Sequence, residues 1–370
     1  MRRLIAYWFA ILLHITGWGV YYSVSRSLVK RIGWNGLLLL VAAETLPSVL
    51  SVPASDYAAR RGYARLLAFS VPEVLGLLLF GYLPWPYQAA AVLVAAIGWA
   101  VAGPQTLNAV LEDASGRGSR LGAVLTSGAL GWSLGGLLGP IIYSASSLQA
   151  SMVVAASLVA LCYLLLYIAL PPTAYSPGGS RVTSFETLAY SLALSPLVLA
   201  MEASFAAVMS ALSVTLTPLE YGLVLAGTGV TSALGKLVVG VAADRIGVER
   251  FAPLVYRASF IAYSLWMLAS SAASGWVLAI LFLTPVYPLY EMGFYLHASR
   301  LLGERRASAA WPASYTIAGL GALLLSRLRL GYATILYMSS VFALASLALV
   351  ALVEHWIIRR GAAHGTGVKP

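Results

Sequence analysis

The feature that most constrains this chain is a succession of twelve long apolar runs. They fall at roughly 4–25, 35–55, 64–83, 87–111, 120–144, 149–170, 187–213, 219–242, 251–271, 275–297, 308–326 and 331–356. A bilayer core of ~30 Å is crossed by ~20 apolar helical residues. Inside hydrocarbon the backbone must satisfy its own hydrogen bonds, so each run reads as a helix. Composition excludes an array of soluble domains. Of the 370 residues, 60% are hydrophobic and 10% are charged, against roughly 25% charged in soluble proteins. The expected fold is all-α and polytopic, with twelve transmembrane helices. The first run follows Met1-Arg2-Arg3. It is too long for a signal peptide and carries no evident cleavage site, so it reads as retained.

Charge then reports orientation. Arg2, Arg3, Arg60, Arg61, Arg65, Arg117, Arg120, Arg181, Arg245, Arg250, Arg257, Arg300, Arg305, Arg306, Arg359, Arg360 and Lys369 fall on one side of the spans. Arg26, Lys30, Arg31, Arg327 and Arg329 fall on the other, and Lys236 alone lies inside a span. The positive-inside rule places both termini in the cytoplasm, with the chain in the cell membrane. The formal net charge of +10 is therefore a topology signal, and no nucleic-acid partner is implied. Cys162 is the only cysteine, so no disulfide framework or cysteine metal site is expected.

The stretch Pro171-Pro172-Thr173-Ala174-Tyr175-Ser176-Pro177-Gly178-Gly179-Ser180 reads as a loop and divides the spans evenly. The expected units are an N-terminal six-helix bundle (1–171), a cytoplasmic linker (172–186), a C-terminal bundle (187–358) and a cytoplasmic tail (359–370). The halves carry related sequences. Asp56 follows the second span and Asp244 follows the eighth, an offset of 244 − 56 = 188, which also relates Arg117 to Arg305 and Gly131 to Gly319. A six-helix duplication is one known route to a transporter, with its site at the midplane between the halves.

The segment Gly240-Val241-Ala242-Ala243-Asp244-Arg245-Ile246-Gly247 resembles the short cytoplasmic motif of the major facilitator superfamily, Gly-x-x-x-Asp-Arg-x-Gly-Arg, which recurs once per half. Gly240, Asp244, Arg245 and Gly247 match it. The first copy is degenerate: Asp56 and Arg60 remain, while Val52, Tyr57 and Ala59 replace the Gly, Arg and second Gly. An Asp at that place is suited to cap a neighbouring helix or to hold an Arg, as a latch that breaks when the halves rock. The alternative is that these charges only anchor short loops. The fifth span carries Gly128, Gly135, Gly139 and Pro140, a pattern of small residues for close helix approach. It resembles the helix-five motif of antiporters in that superfamily, most often drug exporters. Tyr143 and Ser144 stand where that motif usually ends in glycines, and the fourth span lacks the Arg usual in proton-coupled exporters.

Ionisable groups inside a bilayer are costly and mark function by default. Glu44, Glu73, Glu202 and Glu291 fall near span midpoints. By the resemblance, helices one, four, seven and ten line a central cavity, and three, six, nine and twelve lie outside. Glu202 and Glu291 are then the leading proton-coupling candidates, Glu44 follows, and Glu73 is expected to be peripheral. A carboxyl in low dielectric holds its proton more tightly, which suits a proton that is bound and released in a cycle. The competing reading is a neutral carboxyl hydrogen-bonded between helices.

The remaining cavity candidates are His14, Trp18, Gln105, Asn108, Lys236, Thr284 and Tyr287. Thr284, Tyr287 and Glu291 share a helical face at spacings of three and four, as do His14, Trp18, Tyr21 and Ser25. A polar and aromatic face suits an amphipathic organic solute, whereas Tyr21 and Tyr22 also suit an interfacial belt. Lys236 is placed to bind a substrate carboxylate, to neutralise a glutamate, or to snorkel to the cytoplasmic face.

Gly235-Lys236 lacks the upstream glycine of a phosphate-binding loop, and the four histidines form no zinc-protease pair. No cofactor, metal or catalytic residue is expected. The reading is a secondary transporter of a small organic solute, working as a monomer by alternating access and driven by a proton or other ion gradient. Export of hydrophobic or cationic compounds leads. Uptake or exchange of an organic anion, resting on Lys236, is the alternative, and a lipid scramblase or membrane enzyme is the reading from another class.

Overall fold

A computed structural model describes residues 2–61, 64–114, 118–169 and 183–363. Among them the chain forms helices and no strand: α1 (Arg2–Ser27), α2 (Val29–Thr45), α3 (Ser51–Arg61), α4 (Ser70–Tyr82), α5 (Tyr87–Ala114), α6 (Gly118–Ala145), α7 (Leu148–Ala169), α8 (Ser184–Thr215), α9 (Pro218–Ile246), α10 (Val248–Ala272), α11 (Gly275–Phe282), α12 (Val286–Leu302), α13 (Glu304–Leu325) and α14 (Tyr332–Ala363). Among the described residues, eight stretches are long and apolar enough to cross a membrane. Three shorter apolar stretches, Leu66–Tyr82, Tyr87–Gly103 and Ala309–Leu325, stand with them. The protein is a polytopic all-α chain.

Helix occupies each of the twelve apolar runs; the third opens as a 3₁₀ turn at Ala64–Phe69 before α4, and two others are interrupted. The second is α2, which passes through a 3₁₀ turn at Leu46–Leu50 into α3. Pro47 supplies the physical reason, since it has no N–H to continue the α ladder. The tenth breaks into α11 and α12, with Pro285 between them at φ −80 and ψ 65.

Local chemistry sets other boundaries. The Glu186 amide donates to Thr183 Oγ1 at 3.2 Å, and the Thr183 amide donates to Glu186 Oε2 at 2.6 Å. This reciprocal capping box starts α8 at Ser184, inside the stretch expected to be linker. Residues 172–182 of that stretch lie outside the described set. Thr217 and Glu220 form the same box at the start of α9. At the other end α14 continues to Ala363, past residue 359 where the tail was expected to begin, because no breaker interrupts Trp356-Ile357-Ile358-Arg359-Arg360. Residues 364–370 lie outside the described set.

Buried apolar side chains form two large clusters. One lies within the first half and includes Tyr21, Phe80, Ala95, Met152 and Val159. The other lies mainly within α8 to α14 and includes Tyr190, Leu212, Tyr256, Phe294 and Leu336, and Leu37, Leu121 and Leu125 join it from the first half. The halves meet along α6 against α9 and along α2 against α13. The α6–α9 seam is close because glycine faces glycine. A Cβ on Gly240 would stand 2.6 Å from the Gly118 carbonyl oxygen. Ser133 Oγ donates across this seam to the Ala226 carbonyl at 2.8 Å. In the α2–α13 seam the Val49 amide donates to Thr316 Oγ1 at 2.7 Å. The space enclosed between the seams is where the polar residues gather.

Candidate functional site

Two cavities of about 340 Å³ and about 270 Å³ lie between the halves. They share Tyr22, Gly128, Glu202, Lys236, Tyr287, Glu291 and Tyr315, so they are two lobes of one space. His14, Ser48, Trp99, Tyr163 and Trp311 complete the first lobe. Arg26, Trp132, Phe205, Trp266 and Thr284 complete the second. Leu125 lines only the first lobe, while Trp132, Thr228 and Ser232 line only the second. By their places along α6 and α9, the first lobe lies nearer the end that carries Asp244.

Intramembrane charges are mostly paired. The Arg26 guanidinium grips Glu44 with both nitrogens, Nη1 to Oε1 at 2.7 Å and Nη2 to Oε2 at 2.6 Å. Tyr21 OH donates to the same Oε1 at 2.6 Å. Arg26 was expected outside the spans. It is 2% exposed instead, and Lys236 is therefore not the only cation inside a span. The reason is its partner: a buried guanidinium is tolerated where a carboxylate faces it bidentately. Tyr21 is fully buried by the same network and is not a belt residue, and Tyr22 lines both lobes.

Lys236 does not snorkel. Its Nζ stands 2.6 Å from Glu291 Oε2. The hydrogen bond that Nζ makes runs across the seam to the Leu125 carbonyl, at 3.0 Å, so the contact with Glu291 is an ion pair without an aligned hydrogen bond. Nζ also sits 5.6 Å from the Tyr287 ring centroid.

Glu73 was expected to be peripheral. It is fully buried, and His14 Nε2 at 2.5 Å, Trp18 Nε1 at 2.7 Å and Tyr163 OH converge on it. These donors come from α1 and α7. Trp18 thus turns to Glu73 and is not among the cavity walls. In the second half, Glu354 accepts from Arg257 at 2.9 Å and contacts His297 at 2.8 Å, bracing α14 to α10 and α12.

Glu202 differs from these. Alone among the carboxylates described inside the spans, it has no described cation within ion-pair distance. It lines both lobes, and Tyr315 lies within hydrogen-bonding reach of it.

Thr284 does not share a helical face with Tyr287 and Glu291, because the break at Pro285 separates it from α12. It reaches the second lobe all the same. Gln105, Asn108, Asp56 and Arg60 have side chains outside the described set.

The repeat offset reappears in the walls. His14 and Glu202, Ser48 and Lys236, Trp99 and Tyr287, and Gly103 and Glu291 are each 188 apart (202 − 14, 236 − 48, 287 − 99, 291 − 103), and all eight line the first lobe. The charged members all belong to the second half.

At the Asp244 end, Asp244 Oδ1 accepts from the Gly118 amide at 2.8 Å and Oδ2 from the Ser119 amide at 2.9 Å. These are orphan amides of the first turn of α6, so Asp244 caps a helix of the other half and meets its dipole. Gly240 makes the close approach possible. Gly247, at φ 95, ends α9, and Arg245 is exposed. In α6, Gly135 and Gly139 face α1, where an added Cβ would stand 2.2 Å from the Thr16 carbonyl and 2.1 Å from Ser23 Oγ. Gly128 instead faces the cavity, with its nearest such contact at 3.8 Å, and Pro140 is buried within the helix.

Solved structures with this arrangement decide the fold. The E. coli fucose:proton symporter FucP aligns with a TM-score of 0.61 at 15% identity, over 95% of this chain and 98% of that one. The human organic anion transporter MFSD10 (TETRAN) aligns with a TM-score of 0.64 at 15% identity, over 94% of this chain and 99% of that one. The chain has the major facilitator fold. No protein-family model matches the sequence, and no curated protein matches it.

Within this fold, α1, α5, α8 and α12, the first, fourth, seventh and tenth spans, do line the cavity. So does α7, the sixth, through Cys162, Tyr163 and Leu166. The ninth span, α10, lines the second lobe through Tyr263 and Trp266, and the resemblance implied an outer place for both helices. Sequence reasoning missed Arg26 and Tyr163, and singled out Glu73 only to set it aside as peripheral. Arg26 lay one residue past the expected end of its span. The signal that pointed to Glu73 was a carboxylate in an apolar run with His14 and Trp18 one turn apart elsewhere.

Proposed function

We propose that the protein is a proton-coupled secondary transporter that moves small organic solutes across the cell membrane, with both termini cytoplasmic, and that a single chain suffices. The observation that carries this reading is Glu202, unpaired in a cavity whose other charges are balanced. Arg26 offsets Glu44 and Lys236 offsets Glu291. Glu202 is left as the group free to take a proton or a cationic solute. A cavity between two halves that meet at seams is the architecture of alternating access. Asp244 on the α6 terminus serves as one latch. The aromatic walls, among them Trp132, Phe205, Trp266, Trp311 and Tyr315, suit a hydrophobic body. An organic cation that competes with protons at Glu202 would be exported against a proton gradient. A proton symporter stands among the structural neighbours.

An organic anion is the second reading. A neighbouring structure is an organic anion transporter, and Lys236 lines both lobes. Such a solute would have to displace Glu291 from Lys236, which makes the cation the better fit.

The test is proton movement in proteoliposomes with a trapped pH dye, against panels of lipophilic cations, organic anions and neutral sugars. Cation-dependent proton movement that is lost in Glu202→Gln supports the reading. Anion-dependent movement lost in Lys236→Gln and kept in Glu202→Gln replaces it with the second.

A further inference from the structure

We infer that the His14–Glu73 pair in the first half is a second proton-carrying site, separate from Glu202 and opening to the same cavity. This rests on the transporter reading for its purpose, but not for its chemistry.

The argument begins with charge. Glu73 is fully buried on α4 and His14 is 4% exposed on α1, with Nε2 and Oε1 2.5 Å apart. The other groups on Glu73 are neutral donors, Trp18 Nε1 and Tyr163 OH. With the carboxylate ionised and the imidazole neutral, the cluster carries one negative charge in an apolar bundle. An unpaired buried charge is expensive, while a paired or neutral one is not. With Nε2–H facing the carboxylate, one added proton taken on Nδ1 gives imidazolium against carboxylate and brings the cluster to zero. The exchange balances as one proton taken from cavity water and one positive charge gained.

Among the described residues, the surroundings offer no other neutralising group. Tyr163 and Cys162 of α7 are the titratable side chains nearest on that helix, and Trp99 of α5 stacks on the His14 ring at 4.3 Å without titrating. Glu44 on α2 is already held by Arg26. Across the cavity stand Glu202, Lys236 and Glu291, the last two paired with each other.

The second strand of the argument is access. His14 lines the first lobe, so a proton on the imidazole has a route to cavity water when that lobe is wet. Its Nδ1 is buried without a hydrogen-bond partner. A buried polar atom left unpaired is rare and calls for an explanation. A nitrogen that is alternately protonated and bare has no fixed partner that suits both forms. The repeat offset also sets His14 against Glu202, 202 − 14 = 188, so each half presents one titratable side chain at the same place.

The experiment needs no solute. Protein with ¹⁵N-labelled histidine, in lipid nanodiscs, is titrated between about pH 5 and about pH 8, the range in which imidazoles change charge. Nitrogen NMR reads His14, and infrared difference spectra read protonated carboxyls. The expected result is a His14 nitrogen response in the wild-type protein, abolished in His14→Asn and changed in Glu73→Gln. A protonated-carboxyl band that Glu202→Gln removes is expected to leave the His14 response in place. Tyr163→Phe keeps the pair and weakens its setting, so it should shift the His14 midpoint without unfolding the bundle. A wild-type His14 signal that is constant across the range, in folded protein, overturns the proposal whatever the variants do. Loss of the Glu202 band with an unmoving His14 leaves the transporter reading intact and removes this one. A moving His14 with no Glu202 band keeps this proposal and removes Glu202 as the coupling group.

Discussion

At the scale of single residues the molecule is a set of buried charges, each stabilised or left open by one neighbour. Arg26 and Glu44 show the dependence most clearly. Both are nearly inaccessible, and the bidentate contact is what keeps either charge inside. Removing one partner strands the other. Arg26→Met is expected to cost ~3–5 kcal/mol of stability, as for other broken buried pairs. The double change Arg26→Met with Glu44→Leu is expected to recover most of it, because it strands nothing. Unfolding of the purified protein in detergent, followed by intrinsic fluorescence, checks both. A single variant as stable as wild type would show that water reaches Glu44. Glu202 is the contrasting residue, since no cation depends on it. Glu202→Gln should lower stability little while removing proton coupling.

At the scale of elements, one helix is made to do different work along its length. The glycines of α6 seat it on α1 at Gly135 and Gly139, and open it to the cavity at Gly128. Their spacing is legible as a packing motif, but the sequence assigns all of them the same role. Gly135→Val is expected to cost ~1–3 kcal/mol or more, since an inserted side chain meets the Thr16 carbonyl and neither backbone yields readily. Gly128→Ala is expected to leave stability within about 0.5 kcal/mol and to alter solute preference, because its Cβ enters the cavity. Thermal unfolding and a transport panel on the same two variants separate these effects. The broken tenth span is a similar case. Two prolines announce a break, while the displacement of Thr284 from the face of Tyr287 and Glu291 depends on where the break falls.

At the scale of the whole molecule, polar contacts join the two halves at a set of described points. Asp244 on the α6 amides and Lys236 on the Leu125 carbonyl are two of them, ~12 Å apart along α9. Hydrogen bonds to a charged group contribute ~1.5–3 kcal/mol. Asp244→Ala should therefore shift the balance toward open forms by about ten- to a hundredfold, at 1.4 kcal/mol per factor of ten. Cys162 reports it. This thiol is buried, lies on the first lobe and is the only cysteine in the chain. Its labelling by a water-soluble maleimide is expected to accelerate by that factor in Asp244→Ala. An unchanged rate would mean that the seam is held by glycine packing, with the cap making no measurable contribution.

Membrane insertion, the twelve helical runs and the Asp244 motif were all readable from the chain. Apolar length, breaker residues and repeat spacing are properties of a linear string, and a bilayer acts on them one segment at a time. The partners of the charges were not readable. Glu73 and His14 are 59 apart in sequence, Lys236 and Leu125 are 111 apart, and neither pair leaves a periodic trace. Which carboxylate is neutralised and which stays open depends on how helices rotate against one another. That rotation is set by packing across the whole bundle. Tertiary structure alone decided that Arg26 belongs inside, that Glu73 is a centre with three polar neighbours, and that Glu202 faces the cavity without a described cation beside it.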